Sequence, residues 1–215
     1  AFSDGKDQTA AVIVVLQELM ELHGNVIFGG DGYSSEWHTA AVEERGLKNI
    51  PTTADALSAY KDTSVINLFE STGVLSPKEL ASRFEVYAEQ YILAIEVEAK
   101  LVIDIATTKI YPAAITYLSN LTSASSSLSS MGINLENTGI ETVVSEANAM
   151  MAAVSQLSAA FEQHSFGSKE EHMKHCSGAL CSLMLEVRKH ADALEGLVDD
   201  ELWPLPKYQE MLFIK

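Results

Sequence analysis

Three long stretches of this chain place apolar residues at steps of three and four, a periodicity that makes a bundle of helices the economical fold. The first opens at Ser76-Pro77-Lys78-Glu79. In that start signal the serine accepts from the N3 amide, proline suits the first helical position, and the glutamate reaches back. Leu80, Phe84, Tyr87, Tyr91, Ala94, Leu101 and Ile105 then share one stripe over about seven turns. Pro112 is expected to kink this helix. The pattern resumes through Ile115, Leu118 and Leu121, and the serines of residues 125–130 read as a fraying end and a loop through Gly139. A second stripe runs Ile140, Val143, Ala147, Met150, Val154, Leu157 and Phe161, ending near Gly167. A third follows a capping pattern at Ser168-Lys169-Glu170-Glu171 and carries Met173, Cys176, Leu180, Leu183, Val187, Leu194 and Leu197.

Short connections fold such stripes back on one another, so the expected architecture is all-α, an up-down bundle. Residues 7–23 supply its first helix, with Val12, Val15, Leu16, Leu19 and Leu22 at helical spacing and Gly24 as the stop. Residues 25–75 read as an inserted region of short helices around a glycine turn at Gly29-Gly30-Asp31-Gly32. Ser35 and Thr53 are taken as N-caps, Gly46 and Gly73 as stops, and Val65, Leu68 and Phe69 as buried. The expected division is therefore 1–24, first helix and linker; 25–75, insertion; 76–202, long-helix bundle; and 203–215, tail, all in one domain. The tail, with Trp203-Pro204-Leu205-Pro206 and Phe213, is too apolar to be loose and must dock.

A formal net charge of −16 repels phosphate backbones and anionic lipid, so neither nucleic acid nor a membrane surface is an expected partner. The longest apolar run, Ala10 to Leu16, falls short of the roughly 18–20 residues a membrane span needs. The opening residues have no basic region followed by an apolar stretch, as a signal peptide would. Cys176 and Cys181 lie about 140° apart around one helix, too far for an unstrained disulfide. Two free thiols fit a reducing, cytoplasmic setting.

Three groups of residues could carry chemistry. His172, His175 and Cys176, with Glu171, share a helix face and have donors that suit zinc, although one helix alone supplies them and Cys176 lies on the core stripe. The Gly30-Asp31-Gly32 turn lacks the lysine and spacing of a phosphate loop, and reads instead as a turn presenting Tyr33 and Trp37 to the core. Glu98 falls on the apolar stripe of the first long helix and calls for a cation, with Arg83, Lys100, Arg188 and Lys189 available, in an internal or interfacial ion pair. No nucleophile elbow and no acid/base pair stands out.

Several blocks go further. Residues 30–37, Gly-Asp-Gly-Tyr-Ser-Ser-Glu-Trp, followed by Glu43-Glu44-Arg45-Gly46-Leu47-Lys48-Asn49, resemble a segment that follows the catalytic domain in type III glutamine synthetases. The likeness continues through Thr52-Thr53-Ala54-Asp55-Ala56-Leu57, Leu68-Phe69, Gly73-Val74-Leu75-Ser76 and Ser82-Arg83-Phe84-Glu85. It extends through Ile95-Glu96-Val97-Glu98-Ala99 and Ile110-Tyr111-Pro112-Ala113, and reappears at Trp203-Pro204-Leu205-Pro206 with Leu212-Phe213. It covers residues 26–117 and 203–213; residues 138–200 match in helical character only.

The resemblance implies a parent enzyme, a bacterial-type glutamate–ammonia ligase of nitrogen metabolism. That enzyme uses ATP with magnesium or manganese and works as a homo-oligomeric ring. Its metal, ATP and substrate residues lie upstream, so no position here inherits a catalytic or cofactor-binding role. The chain is then a structural and assembly domain whose partners are its own catalytic domain and neighbouring subunits, with Trp203 and Phe213 on the docking surface. A stand-alone helical interaction module and a metal-binding bundle are the competing readings.

Overall fold

The computed structural model describes residues 7–134 and 138–212; Phe213 lies outside them. Every regular element among them is helical. The chain divides into two compact units, Ala1–Pro51 and Thr52–Lys215, so the boundary falls within the stretch 25–75.

The first unit holds α1 (Gln8–His23) and α2 (Ser35–Glu43), with a 3-10 turn at Gly24–Val26. Asp7 caps α1 by accepting from the Thr9 amide at 3.3 Å. Ser34 rather than Ser35 caps α2, its hydroxyl accepting from the Trp37 amide at 3.2 Å. Gly46 takes a left-handed conformation (φ 64°), which lets the Leu47 amide turn back to the Ala41 carbonyl at 2.8 Å.

The second unit begins with α3 (Thr53–Ala56), a 3-10 turn (Leu57–Lys61) and α4 (Thr63–Ser71). Thr52 caps α3, one residue earlier than expected. Ala54 and Leu57 are buried against the bundle, whereas α4 buries none of its side chains fully and leaves Leu68 exposed.

The bundle itself is α5 (Pro77–Ile105) running into α6 (Tyr111–Ser130), then α7 (Thr138–Phe161), then α8 (Lys169–His175) running into α9 (Cys181–Glu195). The short α10 (Tyr208–Leu212) follows. The Ser76 capping box is present in full: the serine hydroxyl accepts from the Glu79 amide at 3.3 Å and the Glu79 carboxylate accepts from the Ser76 amide at 2.8 Å.

α7 runs antiparallel to α8 and α9, as the pairs His175–Ala160 and His190–Glu146 show. α5 runs parallel to them, with Lys169 against Glu85 and Glu89 and His172 against Glu96. The topology is up, down, up. The core is drawn from residues 54–205, with Phe84, Met150, Leu157, Met173, Leu180 and Leu194 among its largest fully buried side chains. α1, expected as a further wall of the bundle, belongs to the other unit.

Two details differ from the periodicity. The buried stripe of α5 is Leu80, Phe84, Ala88, Ile92 and Ala99; Tyr87, Ala94 and Leu101 are exposed. The serine-rich stretch stays helical to Ser130. Its hydroxyls turn back onto carbonyls one turn earlier, Ser127 to Ser123 at 2.9 Å and Thr122 to Leu118 at 2.8 Å, so they do not compete for the helical amides.

Pro112 is accommodated by a π turn at Ala106–Ile110, in which the Tyr111 amide reaches the Ala106 carbonyl. Widening the turn meets the need of a residue that lacks an amide and crowds the carbonyl four residues back. The hydroxyls of Thr107 and Thr108 donate to the Ile103 and Asp104 carbonyls at 2.5 and 2.7 Å. A second π turn, Cys176–Leu180, joins α8 to α9.

Leu157→Ala is expected to cost the second unit about 2–5 kcal/mol, whereas Leu101→Ala costs under about 0.5 kcal/mol; urea unfolding of both variants checks which stripe is the core. The Ser76 amide and hydroxyl hold the Glu79 carboxyl below the usual carboxylate range. A lowered folded-state value stabilises above the ordinary carboxylate range, and that stabilisation is lost as pH falls through it. The stability deficit of Glu79→Ala is therefore expected to shrink on acidification, as urea midpoints at neutral and acid pH would show.

Candidate functional site

The proposed metal trio is engaged in packing. His172 donates from Nε2 to the Glu96 carboxylate at 2.9 Å and stacks on Phe166 at 4.2 Å between ring centroids. His175 donates from Nε2 to the Ala160 carbonyl at 2.9 Å. Cys176 is fully buried, and burial, with Glu96 adding to it, pushes its thiol up to about 11. A buried, protonated thiol is not a metal ligand, whereas each imidazole, donating from Nε2, keeps the lone pair of its Nδ1. Among the described residues no three His, Cys, Asp or Glu side chains converge on a metal-sized site.

The glycine turn of the first unit is a local structure too. Asp31 accepts from the Tyr33 amide at 2.9 Å, and Ser34 donates to the Asp31 carbonyl at 2.9 Å. Tyr33 is 95% exposed, not turned to a core as the sequence led one to expect. Trp37 stacks on Phe28 at 4.0 Å, and Arg45 lies 5.1 Å from the Trp37 ring while donating to the Ile27 carbonyl at 2.6 Å. A side chain at Gly30 would meet the far end of the Phe28 ring at 2.6 Å, so that ring would have to shift. At Gly32 a Cβ would meet open space, and nothing in the structure explains the residue.

Of the remaining residues singled out, Arg83 reaches the Tyr87 hydroxyl at 3.4 Å. Trp203 packs with Leu202 and Leu205 against the bundle core, which corrects its placement on an exposed docking surface; Pro204 and Pro206 are exposed beside it. Glu98 is exposed, the buried position being Ala99, and it has no ion-pair partner among the described residues. It lines a groove of about 490 Å³ between α5 and α9 with Leu101, Cys181, Leu185 and Arg188.

The largest anomaly is α1. Val12, Ile13, Val15, Leu16, Leu19, Met20 and Leu22 are all exposed, Leu22 to 74%, and only Ala11 is buried. Each such side chain forgoes about 1.5–3 kcal/mol of burial. The sequence holds the signal: Val12 to Leu16 are apolar in succession, so the helix has no polar side there, the mark of one enclosed all round.

Comparison with known proteins agrees with the carrying blocks. The family model described as glutamine synthetase C-terminal domain matches residues 11–129, over half of the chain. The chain belongs to that family. A type-3 glutamine synthetase of Dictyostelium discoideum is 34% identical over 97% of this chain and 29% of its own length. A glutamine synthetase of Bacteroides fragilis (strain YCH46) is 31% identical over 98% of the chain and 30% of its own. One of Butyrivibrio fibrisolvens is 28% identical over 97% and 30%. The glutamine synthetase C-terminal domain seen here thus spans about 30% of the curated relatives it matches. No helix among its described residues is long and apolar enough to cross a membrane.

The two thiols of this domain should separate in reactivity. Burial raises Cys181 as well, with Glu98 adding to it, but that side chain remains half-exposed. A maleimide at neutral pH is expected to modify Cys181 in the folded protein and Cys176 only after unfolding; mass spectrometry with and without denaturant reads the difference.

Proposed function

We propose that this chain is the structural and assembly part of a type III glutamine synthetase, and that it forms no glutamine by itself. In this reading the catalytic domain lies upstream. It joins ammonia to glutamate with ATP and a divalent metal in the cytoplasm, and the subunits form a homo-oligomeric ring. Three relatives named as glutamine synthetases, each more than three times the aligned length, support the parent activity.

One observation carries the assembly role: the wet apolar surface of α1. A contiguous apolar surface of this kind marks a protein contact. The part of the longer chain that precedes α1 is the occupant this reading assigns to it. The chain alone is then expected to bind an apolar dye, and Leu16→Lys with Leu19→Lys to lower that signal without disturbing the second unit. A metal-binding bundle finds no support in the donor geometry, and a stand-alone module leaves α1 without an occupant.

Glutamine formation from glutamate, ammonia and ATP is expected in the full-length protein and absent in the 215-residue chain. Activity in the chain alone would refute the assignment. Carrying the two lysine substitutions into the full-length protein is expected to lower its assembly or stability before it alters any step of the chemistry.

A further inference from the structure

We propose that α1 seats in a groove between two helices, supplied by the part of the longer chain that precedes it. The proposal rests on the reading that α1 docks on that part, and adds the shape of the surface it meets.

At about 100° per residue, the exposed apolar side chains of α1 run from Leu22 and Val15 on one flank, through Leu19, Val12 and Leu16, to Met20 and Ile13 on the other. That arc covers about 180°. A helix lying on one flat surface needs an apolar stripe of little more than about 100°. Gln17, Glu18 and Glu21 stand outside the arc and give α1 one polar side. Gln8, Thr9 and His23 fall within it, but only in the end turns of the helix.

The arc contains two holes of the kind that receive a side chain from a facing helix. Val12, Val15, Leu16 and Leu19, at i, i+3, i+4 and i+7, form the first, and all four are exposed. Ile13, Leu16, Gln17 and Met20 repeat the spacing and line a depression with Glu21. The holes point about 100° apart, and Leu16 belongs to both. One facing helix fills one of them; two helices side by side fill both, with Leu16 at the floor between them.

The relatives, each more than three times the aligned length, have ample chain for such an occupant. The matched family, described as a C-terminal domain, places that chain before α1. A second copy of α1 is a poorer fit. It supplies a single facing helix, and α1 holds no lysine or arginine to meet the Glu18 and Glu21 of another copy.

The test places single aspartates in the full-length protein, since their charge is too close to the backbone to reach water from an enclosed site. Binding of an apolar dye reads whether α1 has left its seat, and circular dichroism confirms folding. Val15→Asp on one flank, Ile13→Asp on the other and Leu16→Asp at the floor are each expected to raise dye binding about twofold or more, because an unpaired charge cannot stay enclosed. Glu21→Asp, the same residue on the polar side, is expected to leave it unchanged. Should an aspartate prevent folding, Val15→Thr and Ile13→Thr, close in shape to the native side chains, carry the same comparison. An effect at Leu16 that spares either flank means a single flat surface; it overturns the two-helix groove and leaves the docking of α1 intact. No effect at Leu16 overturns both. A full-length protein that binds the dye as strongly as the 215-residue chain, with self-association of that chain abolished by Leu16→Asp, assigns the face to a second copy and overturns the proposal. Glutamine formation in the full-length protein bears on the parent activity and not on this surface.

Discussion

Packing of α7 against α9 carries the second unit, with α8 lying against α5 and α3. Val143, Ala147, Met150, Val154 and Leu157 share one buried core with Cys176, Leu180, Val187 and Leu194, and among the described residues no other pair of helices touches as extensively as α7 and α9 along their seam. Its edges are pegged by polar contacts: His190 is held between Glu146 at 2.7 Å and Glu186 at 3.2 Å, and His175 donates to the Ala160 carbonyl. α5 and α6 then lie across the seam through Ala88, Ala99, Ala106 and Ala114, side chains small enough to let backbones approach. The π turns sit where this close packing must coexist with Pro112 and with the passage from α8 to α9. Remove the seam, and neither α5 nor the short helices at its start have a surface to cover.

The first unit follows a different logic. Its internal order comes from local devices: a serine cap, a left-handed glycine, and an arginine on two stacked rings. Its apolar surface is mostly left in water. A unit built this way has its shape specified by short-range contacts and leaves most of its apolar surface for another surface to cover. The second unit closes its own core and presents a smaller apolar groove, so the two units differ in how much each leaves to other surfaces.

The stripes of α7 and α8–α9 were legible because each has one apolar face and hence one possible phase. The long helix α5 was not, and the reason is specific. It carries a second apolar set, including Val86, Leu93, Val97 and Leu101, all exposed, so spacing alone admits more than one phase; alanine at 88 and 99 marks the side where another helix comes close. Glu98 is set on the buried stripe by the same ambiguity, and of its expected internal or interfacial ion pair the internal form has no partner among the described residues. Caps were read within one residue, since adjacent hydroxyls at 34 and 35, or 52 and 53, offer equivalent acceptors and only the backbone turn chooses between them. Helical spacing places His172, His175 and Cys176 on one face without saying which ring nitrogen meets a neighbouring helix or carbonyl.

Sequence by itself determined the helical class, the stop and start of nearly every element, and the family, because periodicity, capping chemistry and ordered residue blocks are all written along one dimension. Tertiary structure alone decided the phase of α5, the partners of His172, His175 and His190, the partial burial of Trp203 and the exposure of α1. Those depend on which surfaces meet, and the free energy of burial is a property of two faces together that neither face encodes alone.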